Sequence, residues 1–550
     1  MKKKGLALAA VVCSAAMLLS ACGGSGSSSS SSSKSTSGDK IITAYSSEPQ
    51  NPLVPGNTNE SEGAKPIQLA FSGLVTFDTK GNAKNEVAQS ITPNANSTQY
   101  TIKLKPGWKF TDGTAVTAQS FTKAWSYTAN AKNAQKGSSF FSTIKGFSDL
   151  QKTDGLKGDE QLSGLKVVDD KTFTVDMSQP DSTFPIKVGH YVFAPLPASF
   201  YKDPKAFGEK PVGDGPYKVV QWDHSTDIKL VKNKDYKGVQ PVKNDGITFK
   251  IYTKDDAAYA DIQSGQLDVM ESIPAADSKT FRTDSSVQPY NKPGSVNQMF
   301  TIPSDLNHFK AGTEEGTLRR QAISMAIDRK GIVDKVLNGL DKPADDFTSP
   351  LTPGYKSGLK GSENLKYNPT KAKELWQKAD AISKDTDPFT LAYNADGGAK
   401  PVFDALVNSI NNALGSKIAA TNPMPTFQQF RDAVGNHSIK GAFRSGWQPD
   451  YPSAENYLFQ NFASGAADGN GSNDGGYKNP KFDALMDKAY AAKDQNEANG
   501  YYSEAQEILL NDLPAIPMYY KNNDGVASTK VSGFEMNWQG EPVYGELVRK

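Results

Sequence analysis

Cysteine and histidine are scarce in this chain of 550 residues. Its two cysteines, Cys13 and Cys22, lie in the first 22 residues, and there are only four histidines. The chain beyond residue 22 can therefore contain no disulfide framework and no cysteine-based metal site. The mean hydropathy of −0.55 excludes a polytopic membrane protein. The 61 basic and 60 acidic residues give a net charge of +1, so there is no electrostatic case for nucleic-acid binding.

Motifs that carry enzymatic chemistry are missing as well. No G-x-S-x-G elbow, P-loop or H-E-x-x-H motif occurs, and no two histidines stand at metal-ligand spacing. Residues 468–474 place ligand-type side chains at alternate positions, as a calcium loop does, but Asn473 and Asn479 replace the required glycine and glutamate. We therefore expect a solvated loop, no metal, no cofactor and no enzymatic activity. The sequence does not exclude a pair of carboxylates placed for glycoside hydrolysis, so a glycosidase remains an alternative.

The N-terminus has the features of an export signal. Three lysines precede an apolar run over residues 6–19, which is too short for a comfortable transmembrane helix. The run ends in LSAC at 19–22, which resembles the bacterial lipobox, whose cysteine is lipidated and becomes the first residue of the mature chain. The resemblance implies a signal peptide over residues 1–21 and a lipid anchor on Cys22. An ordinary signal peptide with a chance cysteine is the alternative.

Glycine and serine dominate the segment that follows the lipobox. With Cys22, it forms a predicted tether over residues 22–38, and a chain of this composition is a flexible coil that spans about 20 Å. We expect the protein on the extracytoplasmic face of the bacterial cell membrane, held by its lipid. A binding protein, a surface enzyme and an adhesin all suit such a location.

Strands and helices interleave in the rest of the chain. Apolar residues alternate over 100–105, 173–177 and 247–251, which predicts three half-buried strands. Thr117, Asn368 and Asn479 precede segments with apolar residues at helical spacing, and a proline follows each asparagine, so we expect these residues as N-caps. A helix over 318–337 is predicted to break at Asp328. The interleaving predicts an α/β or α+β class.

Six collinear segments resemble the extracytoplasmic solute-binding proteins of ABC importers, in the family (family 5) that includes the oligopeptide- and dipeptide-binding proteins. Together the segments span most of residues 40–550. They are YTIKLKPGWKFTDGTAVTAQSF (100–121), VGDGPY (212–217) with KNKDYKG (232–238), DIQSGQLD (261–268), LRRQAISMAIDR (318–329), YNPTKAKEL (367–375) and the stretch 479–520.

The resemblance implies an α/β, two-lobe fold of the periplasmic-binding-protein type, with a ligand enclosed between the lobes. Two crossing strands would join the lobes, with hinges near 296–302 and 515–520. Lobe I would comprise residues 39–302 and 516–550 and include an extra subdomain over about 73–205. Lobe II would comprise residues 303–515.

The segment RSGWQPDY at 444–451 resembles the oligopeptide-binding segment in which an aspartate three residues after a tryptophan holds the peptide α-ammonium. The match assigns that role to Asp450 and identifies Trp447 as the tryptophan. A fixed carboxylate is a natural partner for a desolvated ammonium group. The backbones of Gly446 and Gln448 would pair with the peptide main chain. Arg444 matches a position that can meet the peptide's C-terminal carboxylate. The alternatives are a turn-forming role for Asp450 and core packing for Trp447.

The second edge of the cleft would be SSEPQ at 46–50, where Glu48 matches an acidic residue of the family. Pro49 removes a donor that a pairing edge would use. Arg319, Arg320 and Asp328 are expected to be structural. Gly213 and Gly215 are interpreted as part of a tight turn that needs glycine conformations.

The predicted function is therefore that of a monomeric lipoprotein that captures oligopeptides and delivers them to the permease subunits of an ABC importer. The same fold binding an oligosaccharide or a metal chelate is one alternative. A peptide-pheromone sensor or adhesin, and a surface hydrolase, are the others.

Overall fold

The computed structural model describes residues 40–469 and 471–550. The predicted signal peptide, the tether and Cys22 therefore lie outside the described residues, as does Asn470. None of the helices in the described part combines the length and the apolar character that crossing a membrane requires.

The strands are short except for two that run through the centre of the molecule. They are β1 (Ile41–Ser46), β2 (Val75–Phe77), β3 (Ala83–Asn85), β4 (Ala88–Pro93), β5 (Gln99–Leu104), β6 (Leu165–Asp169), β7 (Thr172–Asp176), β8 (Tyr217–Asp223), β9 (Asp227–Lys232), β10 (Gly246–Ile251), β11 (Val269–Met270), β12 (Val287–Thr301), β13 (Lys342–Pro343), β14 (Phe389–Asn394), β15 (Ala419–Met424), β16 (Ala442–Trp447), β17 (Ala515–Ser528), β18 (Val531–Ser532) and β19 (Val548–Arg549).

The helices interleave with these strands throughout the described residues. They are α1 (Ser61–Ala70), α2 (Ala118–Ala129), α3 (Phe184–Lys187), α4 (Pro204–Glu209), α5 (Asp255–Ser264), α6 (Glu314–Met325), α7 (Arg329–Lys335), α8 (Pro369–Ile382), α9 (Lys400–Leu414), α10 (Phe427–Gly435), α11 (Ala454–Phe462), α12 (Pro480–Tyr490) and α13 (Gln495–Asp512).

One mixed sheet of eleven strands runs through both halves of the protein. Its order is β15-β14-β16-β12-β17-β11-β1-β10-β9-β8, with β13 attached to β17. The pairs β14–β15 and β1–β10 are parallel, whereas β12 is antiparallel to both of its neighbours. The fold is therefore mixed α/β, as predicted.

The long strands β12 and β17 join the two halves. They pair in antiparallel register from Val287 opposite Ser528 to Thr301 opposite Ala515, with register shifts after Pro293 and after Gln298. One end of this ribbon pairs with β11, and the other end pairs with β16. The prediction of two strands that cross between lobes is confirmed.

Two large hydrophobic cores lie at opposite ends of this ribbon. The first is built mainly from residues between Ile42 and Phe249, with Val269 and side chains of the C-terminal segment. The second is built from residues between Met299 and Met518. We call the elements around the first core lobe I and those around the second core lobe II. The residue limits given above for the lobes and the subdomain stay predictions.

A separate four-stranded antiparallel sheet, β4-β5-β7-β6, lies within the stretch predicted as the extra subdomain. Helix α2 buries Phe121 and Trp125 against it, and the ring of Phe121 stacks on that of Phe173 at 5.9 Å. The alternation over 100–105 and 173–177 thus produced β5 and β7 as predicted.

The predicted helix starts are present. The side chain of Asn368 accepts a hydrogen bond from the amide of Lys371 at the start of α8, and Asn479 caps α12 in the same way. Thr117 precedes α2 as its N-cap residue. Asp328 separates α6 from α7 and caps the latter, because its Oδ1 accepts from the Gly331 amide at 2.8 Å.

The interpretation of Gly213 and Gly215 was wrong in its physical reason. Neither glycine has a positive φ. A Cβ atom at Gly213 would lie 1.9 Å from the carbonyl oxygen of Ala70, and one at Gly215 would lie 2.6 Å from the Ala70 carbonyl carbon. Glycine is therefore needed here because the backbone at the end of α1 approaches closely, and not because of a special backbone conformation.

The expectation of a structural role for the arginines of α6 is confirmed. Arg320 is fully buried and donates to backbone oxygens, among them those of Ile302 after β12 and Leu513 before β17. Burial lowers the pKa of Arg320 to about 10. This side chain ties together the lobe II ends of the two crossing strands.

Candidate ligand-binding site

Strand β16 offers an open edge beside the ribbon that joins the lobes. On one side it pairs with β12 from Phe443 to Trp447. On the other side it pairs with β14 only at Ala442 and Phe443, so that edge of residues 444–447 has no strand partner in the part of the chain that the structure describes. An unpaired edge exposes backbone donors and acceptors to an extended ligand.

The turn that follows β16 is held by one buried amide side chain. Asn456, in the first turn of α11, accepts hydrogen bonds at its Oδ1 from Trp447 Nε1 at 2.8 Å and from the Asp450 amide at 3.0 Å. Its Nδ2 donates to Asp450 Oδ2 at 3.1 Å. Asn456 therefore fixes both the tryptophan and the aspartate that the sequence singled out.

Asp450 is a partly buried carboxylate. Burial raises the pKa of Asp450, and the nearby charge of Glu455 adds to this effect, while the hydrogen bond from Asn456 opposes it. Within the described residues Asp450 forms no ion pair. A cation brought by a ligand would therefore stabilise its charged form.

Behind Asp450 lies a buried ionic cluster that spans the lobes. Glu455 of lobe II accepts hydrogen bonds from Tyr451 Oη at 2.5 Å and from Tyr490 Oη at 2.6 Å. Lys187 of lobe I lies 3.7 Å from Glu455 and 2.9 Å from Asp181. One lysine thus stands between two buried carboxylates from different lobes.

Hydrogen bonds beside this cluster join the lobes further. The Ser182 amide donates to the Tyr490 carbonyl at 2.9 Å, and Ser182 Oγ donates to the Ala489 carbonyl at 2.7 Å. The hydroxyls of Thr183 and Tyr502 lie 3.1 Å apart. Lobe I is therefore fastened to lobe II directly next to the turn that carries Asp450.

A cavity of about 200 Å³ separates Asp450 from lobe I. We call it the Asp450 cavity. Residues from both lobes line it, including Glu60, Ser61, Gln68 and Tyr191 from lobe I, Gln448, Pro449 and Asp450 from lobe II, and Gln539 and Glu541 from the C-terminal segment.

A second cavity, of about 400 Å³, follows the open edge of β16 and is lined by Arg444, Gly446, Trp447 and Gln448. Arg444 donates to Asn394 Oδ1 at 3.2 Å and forms no ion pair among the described residues. The structure thus brings five of the six predicted site residues to two cavities along one stretch of chain.

Glu48, the sixth predicted residue, is engaged elsewhere. Its carboxylate contacts His224 Nδ1 at 2.7 Å and accepts from the Ser225 amide at 2.8 Å. The hydrogen bonds to Glu48 and then to Glu209 raise the pKa of His224. Glu48 does not line either of these two cavities.

Sequence reasoning missed the lobe I face of the Asp450 cavity and the role of Asn456. Glu541 and Gln539 lie in an irregular C-terminal segment that carries no motif. Asn456 follows the N-cap Ser453 and has no sequence signal of its own. Within the described residues, no group of three metal-ligating side chains stands close enough to hold an ion.

The family model for bacterial extracellular solute-binding proteins, family 5 Middle, matches residues 82–469. The oligopeptide-binding protein OppA of Bacillus subtilis (strain 168) is 25% identical over 509 residues, covering 89% of each chain. The dipeptide-binding protein DppE of the same strain is 26% identical over 510 residues, covering 90% of each chain. The solved unliganded open form of the periplasmic murein tripeptide binding protein MppA has the same fold. Its TM-score is 0.79 at 22% identity, covering 92% of this chain and 97% of that chain.

Proposed function

Because the chain belongs to the family 5 bacterial extracellular solute-binding proteins, we propose that it captures oligopeptides between its two lobes and delivers them to the permease of an ABC importer. Two relatives that cover about nine-tenths of the chain are named for oligopeptide and dipeptide binding, which supports a peptide as the ligand.

One observation carries the proposal: a partly buried carboxylate without a cationic partner in the described residues lies three residues after the open edge of β16. An extended peptide has the two complementary features, a positive N-terminus and a main chain that pairs with a strand edge. Asp450 would bind the α-ammonium, and the backbones of Gly446 and Gln448 would pair with the peptide main chain. Trp447 would pack against the ligand.

Arg444 would meet the negative end of the peptide. It lines the cavity along β16, and its charge has no carboxylate partner among the described residues, which supports this role. Main-chain pairing does not depend on side chains, so we expect many peptide sequences to bind. Glu48 would contact the peptide only after its hydrogen bonds with His224 and Ser225 break.

The proposal includes a lipid anchor on Cys22 and a monomeric protein on the extracytoplasmic face of the cell membrane. The LSAC motif supports the anchor, and the tether at 22–38 would let the body reach a permease in the same membrane.

Native mass spectrometry of the purified body, from residue 40 onward, tests the choice of ligand. We expect co-purified masses that fragment into peptides of mixed sequence. A single oligosaccharide or metal-chelate mass, with no peptide, would refute peptide capture and leave the two-lobe binding fold with another solute.

A further inference from the structure

A cavity of about 390 Å³ opens inside lobe I next to the Asp450 cavity. We call it the Glu541 cavity. The two cavities share four lining residues, Gln68, Tyr191, Gln539 and Glu541. The Glu541 cavity is therefore continuous with the Asp450 cavity and extends from it into lobe I.

Aromatic side chains form part of the walls of the Glu541 cavity, among them Phe77, Tyr191 and Trp538. Tyr544 lines it as well and is only 4% exposed, yet its hydroxyl has no hydrogen-bond partner within residues 40–469 and 471–550. A buried hydroxyl without a partner is unfavourable, so a polar ligand atom that reaches Tyr544 would supply a missing hydrogen bond.

The fixed charges in this chamber favour a cation. Lys65 is buried in the wall and is paired with Glu271. The other charged residues that line the cavity are paired as well, Lys84 with Asp78 at 3.8 Å and Glu546 with Lys243. Glu541 has no ion-pair partner among the described residues, and its Oε2 accepts only a neutral hydrogen bond, from Gln68 Nε2 at 3.3 Å. Burial raises the pKa of Glu541 to about 7, against the attraction of Lys65. Because the charges within each of these three pairs cancel, the ionised carboxylate of Glu541 remains uncompensated.

The Asp450 cavity, through which a ligand would reach the Glu541 cavity, is also lined by negative charge. Three carboxylates, those of Glu60, Asp450 and Glu541, line the Asp450 cavity, and neither a lysine nor an arginine does. Burial lowers the pKa of His190, which also lines it, to about 3, so His190 is neutral at pH 7. One α-ammonium neutralises only one of these carboxylates, so negative charge remains that a second positive group of the ligand could neutralise.

We propose that the Glu541 cavity receives the side chain of the peptide's first residue and selects lysine or arginine there. The inference rests on the proposed function, because it takes the α-ammonium at Asp450 as its starting point. The aliphatic stem would lie against the aromatic walls, while the cationic head would bind Glu541 and donate to the Tyr544 hydroxyl. No lysine or arginine of the protein competes for Glu541 within hydrogen-bond distance in the described part.

Calorimetry with three tripeptides tests this selection at pH 7.5. Lys-Ala-Ala carries the charge at the first residue, Nle-Ala-Ala replaces it with a neutral side chain of similar length, and Ala-Lys-Ala moves it to the second residue. We expect Lys-Ala-Ala to bind about 10- to 100-fold more tightly than Nle-Ala-Ala, as charge-assisted hydrogen bonds typically provide. Equal affinities, or a preference for Ala-Lys-Ala, would overturn the assignment.

Two variants connect the preference to this cavity. Glu541→Gln keeps the shape and removes the charge, so it should reduce the preference for lysine to less than threefold while Nle-Ala-Ala binds as before. Tyr544→Phe removes only the hydroxyl that the cationic head would meet, so it should also reduce the preference for lysine. It gives a second test of this preference if Glu541→Gln folds poorly. Glu535→Gln, an exposed change in the same segment, is the matched control.

The results also separate the two proposals. If Nle-Ala-Ala binds and its N-acetylated form does not, but lysine brings no advantage, peptide capture stands and the Glu541 cavity is not a basic subsite. If none of the three peptides binds to the wild-type protein, the result counts against both proposals.

Discussion

Lys187 of lobe I and Glu455 of lobe II lie 3.7 Å apart in a buried position, and Glu455 follows Asp450 by only five residues. Lys187 also contacts Asp181 at 2.9 Å, so it is the cation of a three-membered cluster. The turn that carries Asp450 and the junction between the lobes are therefore parts of one packed region.

Replacing Lys187 with methionine should destabilise the protein strongly. The change leaves Asp181 and Glu455 buried without their cation, and breaking such a buried pair typically costs about 3–5 kcal/mol. We expect a loss of that size in the free energy of unfolding, measured by urea denaturation. Lys152→Met, in an exposed pair with Asp149, should cost about 1 kcal/mol or less. Equal effects of the two changes would contradict the assigned role of Lys187.

Asp450→Ala and N-acetylation of the peptide should remove the same interaction. Truncating one partner of a buried charge pair costs about 2–5 kcal/mol, which is roughly 30- to several-thousand-fold in affinity. Each change alone should weaken binding by a factor in that range. The two together should weaken it by far less than the product, because the second change finds no pair left to break.

Calorimetry on the four combinations of protein and peptide measures this coupling. Glu535→Ala serves as the comparison and should leave binding unchanged, because Glu535 is exposed, pairs with Lys292 and lines neither of the two cavities along the Trp447–Asp450 turn. If acetylated and free peptides bind the wild-type protein equally well, the N-terminal clamp at Asp450 is wrong.

Asp346 should make stability depend on pH. Its side chain is buried and accepts from the Thr348 amide at 2.7 Å, and desolvation, followed by the charge of Asp345, raises its pKa to about 7. Because the folded pKa exceeds the unfolded value of about 4, Asp346 favours the folded state below pH 4 and loses this contribution as the pH rises through 7.

The difference in unfolding free energy between the wild type and Asp346→Asn should therefore change between pH 4 and 7. The wild type should lose up to about 1.4 kcal/mol per pH unit relative to the asparagine variant. Urea denaturation at pH 4, 5.5 and 7 provides the measurement. Parallel curves for the two proteins would show that Asp346 does not titrate in this range.

Cys22→Ala should abolish membrane anchoring. A diacylated cysteine carries two acyl chains, which are enough for stable anchoring where one chain is marginal. We expect the variant in the medium or as an unprocessed precursor, as judged by membrane fractionation and immunoblotting. A variant that is still processed and fully membrane-bound would show that another feature holds the protein. Cys13→Ala, within the predicted signal peptide, is the matched control and should leave anchoring unchanged.

Local sequence patterns predicted much of the secondary structure. The alternation over 100–105 and the caps at Asn368 and Asp328 depend on residues within a few positions of each other, so a short window contains the whole signal. Trp447 and Asp450 were singled out because the contiguous segment RSGWQPDY at 444–451 resembles the oligopeptide-binding segment of the family. The reason for Gly213 and Gly215 was misjudged, because the constraint comes from Ala70, more than 140 residues earlier.

The sequence by itself predicted an export signal, and it determined the α/β character and the segment that carries the open strand edge. Only the tertiary structure decided what faces that segment. Asn456 fixes Asp450, Lys187 reaches Glu455 from the other lobe, and Glu541 and Tyr544 form a charged chamber from an irregular C-terminal stretch. Burial and charge balance depend on which distant segments fold against each other, and no local periodicity encodes those contacts.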